Sequence, residues 1–284
     1  MANGLDAVGL VLARPARMLG FEPFFMELIG GIEESLAVEG RSLLLHVVPD
    51  HDAEIRTYRR WGEGKLVDGV VVVNVALEDA RLDVLQELGI PTVVVGGPRP
   101  DLPFANVWID NAQAMRTAVT HLVGLGHRRL ARVSGPRHLA HTQARTDAFM
   151  GECARLGAHG VVVEGDYGEE SGTRATRVLL GRGTPPSAII YDNDVMAVAG
   201  LGVAHEMDIA VPERLSLLAW DDSALCRLSH PALSAMSLDV HAMGVQVADC
   251  VLNLLASGTV RSYTAPLPRL VARGTTTTAP RDDA

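Results

Sequence analysis

Cysteine is scarce. The 284 residues hold three, Cys153, Cys226 and Cys250, odd in number and without CxxC spacing. That excludes a disulfide framework and a thiolate metal centre, and it predicts reduced, buried thiols in a cytoplasmic protein. Basic charge is also short: 25 Lys and Arg against 34 Asp and Glu leave a net −9. The chain lacks the footprint that binds a phosphate backbone, so we expect it not to bind duplex DNA alone. No stretch reads as the ~18 apolar residues of a membrane span, and the first residues lack the basic start and apolar core of an export signal. Catalytic signatures are missing too: there is no GxSxG elbow, no P-loop, no GxGxxG after the first strand and no HExxH. Those absences predict a protein that is not an enzyme and needs no cofactor or metal.

What is present is a regular alternation. Hydrophobic residues make up 48% of the chain and charged residues 21%, enough for sizeable cores in about two domains. A strand at Asp6 to Leu12 leads through a loop, Arg14 to Glu22, to a helix opened by Pro23 and stopped at Gly40. Strands are expected at Ser42 to Val48, Val70 to Val73, Thr92 to Val95 and Val107 to Ile109, with helices between them. The pattern restarts at a helix from Ala112 to Leu125 and a strand from Leu130 to Val133. It runs on through Val161 to Val163, Ala188 to Tyr191, Leu215 to Trp220 and Ala235 to Leu238. A helix from Val240 to Leu255, a strand from Leu270 to Arg273 and a frayed Thr-, Pro- and Asp-rich tail close it. Short β-branched runs between amphipathic stretches predict an α/β fold with parallel sheets covered on both faces.

The stretch Asp192-Asn193-Asp194-Val195-Met196-Ala197 organises the second half. It joins an apolar run to a helical one, so its polar side chains stand at a strand's carboxyl end beside a helix N-terminus. Open α/β sheets bind ligands there. The run Leu215 to Trp220 ends on Asp221-Asp222 and repeats the arrangement. Together they predict a crevice for a polar ligand.

Several further motifs occur in a fixed order: Pro23-Phe24-Phe25 with Gly31-Ile32-Glu33; Val67-Asp68-Gly69; Asp110-Asn111; His121-Leu122 with Leu125-Gly126-His127-Arg128-Arg129; Ala144-Arg145; Gly165-Asp166-Tyr167 with Glu170-Ser171-Gly172; Val211-Pro212; and Pro231-Ala232-Leu233. With them, about Asp6 to Thr276 resembles the effector-binding core of the lactose-repressor/purine-repressor (LacI/GalR) family of bacterial transcription regulators. The resemblance implies an α/β fold of two doubly wound parallel-sheet lobes, periplasmic-binding-protein-like type I, with a ligand cleft between them. It places the first lobe at 6–125 plus 240–267, the second at 126–239 plus 268–276, and a flexible tail at 277–284. It also implies a homodimer that reads operator DNA through a helix-turn-helix head. Only about six residues precede the first strand, so that head is expected to have been truncated from this chain.

The same resemblance nominates the ligand contacts. Arg145 matches an effector-binding arginine whose fork of donors suits vicinal hydroxyls or a carboxylate; as a plain surface residue it would pair with Asp147 or Glu152. Asp221 matches an aspartate that accepts from ligand hydroxyls, and would otherwise be a turn residue. Asn193 is a contact or a helix cap. Tyr167 is an aromatic laid against the effector's ring or a helix-capping aromatic. On the first lobe Phe24 is expected to face the ligand and Phe25 the core, with Trp108, Asp110 and Arg14 as weaker candidates. His141 is a possible hydrogen-bonding partner; with His138 it forms an HxxH that is a poor metal signal. Asp194 and Asp222 read as structural. An aromatic with Asp, Asn and Arg favours a sugar or sugar-like effector over a purine. The alternative is a solute-binding protein of a sugar transporter, which would need the export signal not seen here.

Overall fold

The computed structural model describes residues 6–14, 22–96 and 103–281; most of the loop read at Arg14 to Glu22 lies outside them. The chain divides into two units, Met1–Asp110 with Asp239–Pro266, and Asn111–Leu238 with Leu267–Ala284.

The first unit is built from β1 (Ala7–Ala13), α1 (Pro23–Val38), β2 (Ser42–Val48), α2 (His51–Gly64), β3 (Gly69–Val72), α3 (Ala80–Leu88), β4 (Thr92–Gly96) and β5 (Ala105–Trp108). The chain later returns to it as α9 (Val240–Ser257) and β11 (Ser262–Thr264). Its six strands run in the order β11-β5-β4-β3-β1-β2, every pairing parallel. β1, β3 and β4 are almost wholly buried, which is why they read as continuous apolar runs. Helix α9 is long and apolar enough to pass a membrane-span test by length and composition, which the sequence reading had not anticipated. Its buried face, Val240, Met243, Gly244, Val247, Ala248 and Val251, instead packs on α1 and the sheet. Gly31 and Gly244 set that crossing: a Cβ on Gly31 would stand 2.0 Å from the His241 carbonyl oxygen, and one on Gly244 2.3 Å from that of Leu28. Only glycine permits so close an approach of two backbones.

The second unit contains α4 (Asn111–Gly124), β6 (Arg129–Ser134), α5 (Ala140–Arg155), β7 (His159–Glu164), α6 (Glu169–Leu180), β8 (Ala188–Tyr191), α7 (Asp194–Glu206), β9 (Ser216–Asp221), α8 (Ala224–Leu228), β10 (Ser234–Ser237) and β12 (Arg269–Val271). Its strand order is β12-β10-β9-β8-β6-β7, parallel except where β12 runs antiparallel to β10. Strand β6 lies between β7 and β8, so the order in which strands are added reverses there, β7 on one side and β8 on the other.

Two expectations need correction. Residues 111–124, assigned in advance to the first lobe, belong to the second unit: Ala114, Met115, Ala118, Val119 and Leu122 share a core with Leu130, Phe149 and Trp220. The tail is not frayed where expected. Thr275 is fully buried, Thr277 N donates to Ser216 Oγ at 3.2 Å, and Ala279 N donates to the Leu125 carbonyl at 2.8 Å. The buried His127 ring joins this anchor, with Nδ1 2.8 Å from Ser187 Oγ and Nε2 3.1 Å from both Ser216 Oγ and the Thr277 carbonyl.

Candidate functional site

The polar residues of the second unit converge on the carboxyl edge of its sheet, around the switch between β6 and β8. At its centre is a pair that the sequence reading missed. Arg132, in mid-strand on β6, and Asp192, just after β8, are both essentially inaccessible. Arg132 Nε donates to Asp192 Oδ1 at 2.7 Å and Nη2 to Oδ2 at 2.5 Å, a bidentate fork. The Gly135 amide donates to the same Oδ2 at 3.1 Å, and Arg132 also reaches Thr146 Oγ1 at 2.8 Å and the Thr142 carbonyl at 3.4 Å. Burial alone pushes the Asp192 carboxyl up, but the Arg132 and Arg145 charges outweigh it and hold the group below the usual carboxylate range. The visible signal was an arginine inside an otherwise apolar strand, Arg132 in the register of Ile190 and Val162. Such a residue needs an acid at a neighbouring strand end.

Arg145 comes from the second turn of α5 and is buried, so it is not the surface arginine considered above. The acids named as its alternative partners are occupied elsewhere: Asp147 accepts from Gln143 and Glu152 from Arg155 and Thr120. Arg145 Nε donates to Asn111 Oδ1 at 2.7 Å, Nη1 lies 3.5 Å from the Asp192 carbonyl and 3.8 Å from its carboxylate, and the guanidinium sits 4.2 Å over the Trp220 ring. Among the described residues its Nη2 has no hydrogen-bond partner, and the side chain keeps 9% of its surface exposed. A charged donor held in this way is available to an acceptor from outside the unit.

Tyr167 lies on the loop before α6 with φ +70°, a left-handed conformation that costs an aromatic residue free energy. The surroundings hold it there. Asn193 Nδ2 donates to the Tyr167 carbonyl at 2.9 Å, the ring seats on Gly135, where a Cβ would come within 2.1 Å of its hydroxyl, and the hydroxyl meets His141 Nε2 at 2.7 Å. The His141 and Tyr167 rings stack with centroids 6.4 Å apart. Asn193 is therefore a helix cap, accepting from Met196 N at 3.0 Å, and a brace for Tyr167 at once. Asp221 ends β9 with φ +83°, followed by Asp222 at φ +64°. Asp222 accepts from Arg273 Nη2 at 2.9 Å and shapes the loop. Asp194 is nearly inaccessible and burial raises its carboxyl above the usual range, with Ser223 supplying the opposing hydrogen bonds.

The remaining candidates lie on the first unit. Phe24 is half-buried, set edge-on to the buried Phe25 with centroids 5.4 Å apart. Arg14 Nε donates to the buried Glu22 at 3.2 Å and its guanidinium lies 5.6 Å from the Phe25 ring centroid. Trp108 ends β5 half-buried, its carbonyl accepting from Ala265 N at 2.8 Å, and Asp110 is the last residue before α4. A second buried network closes the carboxyl end of β3. Arg81 there bonds Glu54, at 2.9 and 3.0 Å, and Asp79, at 2.8 Å, together with the Val73 and Asn74 carbonyls. Glu54 also accepts from Tyr58 at 2.7 Å. Those groups saturate one another and fix a loop.

The profile of a periplasmic binding protein-like domain matches residues 119–276. The chain is 30% identical over 258 residues to the HTH-type transcriptional repressor PurR of Klebsiella pneumoniae, covering 88% of this chain and 75% of that one. Among solved structures, a LacI family transcriptional regulator from Bifidobacterium animalis superposes with TM-score 0.88 at 32% identity, covering 96% of this chain and 98% of that chain. A complex of the transcriptional regulator CelR with cellobiose superposes with TM-score 0.87 at 26% identity, over 95% of this chain and 84% of that one.

Proposed function

The chain belongs to the LacI/GalR family of transcription regulators as an effector-binding core, and from that premise we propose that it senses a sugar or sugar-like small molecule at the carboxyl edge of its second sheet. Its relatives are regulators, not enzymes, and they support a cytoplasmic location. The observation that carries the proposal is one continuous chain of contacts, Arg145–Asp192–Arg132–Thr142–Tyr167–His141. It leaves a braced guanidinium beside the strand ends and an aromatic held in a strained backbone. The contacts proposed on this sheet edge are Arg145, Asp221, Tyr167 and His141, with Asn193 in support; Phe24, Trp108, Asp110 and Arg14 stand as separate candidates on the first unit. Arg145 donates and Asp221 accepts, and a sugar hydroxyl satisfies both. The CelR relative, solved with cellobiose, makes disaccharides the first class to test.

Effector binding then couples reciprocally to operator affinity, through a homodimer carrying DNA-reading heads. Sedimentation at tens of micromolar tests the dimer, and a monomer there counts against it. A mobility-shift assay with this acidic chain alone is expected to show no operator binding.

The deciding experiment is a thermal-shift screen of monosaccharides, disaccharides and nucleobases. A ligand at 100-fold excess over its Kd stabilises by about 2.7 kcal/mol. Hydrogen bonds to charged groups contribute about 1.5–3 kcal/mol each, so Arg145→Ala should weaken the hit by roughly tenfold to over a hundredfold. A nucleobase hit with no sugar response, or unchanged sugar affinity in both Arg145→Ala and Asp221→Ala, rejects the reading.

A further inference from the structure

Trp220 is fully buried on the central strand β9, packed among Met115, Leu130, Phe149, Ile190 and Met236. A ring held by a close-packed core on a central strand is itself immobile. The guanidinium of Arg145 lies 4.2 Å from its centroid, well inside the roughly 6 Å range of cation–π attraction. We propose that Trp220 is a positioning residue for Arg145: its ring sets the plane of the guanidinium, and so sets which acceptors the arginine presents itself to.

Each contact on Arg145 constrains something different. Asn111 Oδ1 fixes the direction of Nε. Asp192 is close to Nη1, but its carboxylate is taken in bidentate fashion by Arg132 and is 3.8 Å away. The bond at Nε and the long 3.5 Å bond from Nη1 to the Asp192 carbonyl fix a line in the guanidinium plane but leave rotation about that line open; a flat ring beneath it defines that tilt. With one face against the indole, the guanidinium offers its edge at Nη2. That edge favours two oxygens lying in its own plane, as a vicinal diol or a carboxylate provides. The inference rests on reading Arg145 as an effector contact, yet it concerns the ligand-free protein and is tested there.

The test is the Nε–Hε and Nη–H resonances of Arg145 in the ligand-free full chain, assigned by their loss in Arg145→Lys. In the parent protein the Nε–Hε signal should be displaced upfield by the ring current, with resolved Nη–H signals reporting hindered rotation. Trp220→Phe keeps a flat face and should keep a reduced displacement and resolved signals. Trp220→Met fills the space without a face and should send the signal back to the bulk of the arginine envelope, with the Nη–H signals merged. Asn111→Ala, which leaves the ring untouched, should retain the upfield displacement. This last variant keeps the question decidable if Trp220→Met does not fold. Unchanged Arg145 resonances in Trp220→Met, or loss of the displacement in Asn111→Ala, would overturn the proposal. Failure of the effector reading shows elsewhere, as sugar affinity indifferent to Arg145→Ala.

Discussion

Asp192→Asn isolates the electrostatics of the second unit. The substitution keeps the shape of the side chain but removes its charge, and it faces one Arg132 donor with an amide donor. Arg132 is wholly buried; its other acceptors are the Thr146 hydroxyl and the Thr142 carbonyl, neither of which carries charge. Removing one partner of a buried pair costs about 3–5 kcal/mol, because the remaining charge is uncompensated. At roughly 2–4 °C per kcal/mol for a unit of this size, the melting temperature should fall by roughly 6–20 °C. The pH dependence adds a second signature. The Asp192 carboxyl is held below its ordinary value, so its contribution is fully present above the unfolded pKa of about 3.9 and is lost as pH falls through the folded value. The gap between parent and variant should therefore be widest near neutrality and close in strong acid. Replacing the arginine as well, as Arg132→Met with Asp192→Asn, should recover much of the loss, since no buried charge is then stranded. Calorimetry from pH 8 down into strong acid measures all of this. An Asp192→Asn protein that melts within about 2 °C of the parent at pH 7, on the same scale, refutes the reasoning.

Other perturbations test separate parts of the molecule. Asp194 has the opposite sign: its carboxyl is raised by burial, so it costs stability as pH rises above about 3.9. Asp194→Asn should gain on the parent in melting temperature between pH 4 and 7, and a constant difference would contradict this. Gly31→Ala should destabilise by about 1–3 kcal/mol or more, because the new methyl meets the His241 backbone, which cannot swing aside; an unchanged denaturation midpoint would show that α1 and α9 separate freely. Burial pushes the Cys153 and Cys250 thiols up to about 11, and raises Cys226 as well. A disulfide reagent at pH 7 should therefore find the three thiols only after denaturation, and stoichiometric labelling of the folded protein would argue against their burial.

The alternation of elements was legible because buried parallel strands and helix caps write themselves locally. Val70 to Val73, Ala188 to Tyr191 and the Asn193 cap could be read from neighbours alone. Long-range partners could not. Arg132 shows as an odd charge in a strand, but its acid lies 60 residues away. Arg145 was found by its motif, whereas the ring beneath it belongs to another strand and the amide on its Nε to another helix. The tail misled for a related reason: Thr275 and Thr277 have a disordered composition, yet they find buried partners on β9 and at its start. The short α8 and the edge strand β11 carry too few residues for a periodic signal.

The return of the chain through α9 has a consequence for how this protein is made. The first unit is interrupted after Asp110 and resumes only at Asp239. Until α9 leaves the ribosome, β3, β4 and β5 lack the helix that packs on them, and the Leu28, Ile32 and Leu36 face of α1 waits with them. The intervening stretch, by contrast, already contains five of the second unit's six strands by Ser237. Vectorial synthesis thus favours the later-encoded unit as the earlier to consolidate, while the amino-terminal residues remain exposed to aggregation and chaperones. A ribosome stalled so that Leu238 has just cleared the exit tunnel while α9 is still inside it should carry a protease-resistant second unit and a digestible first one.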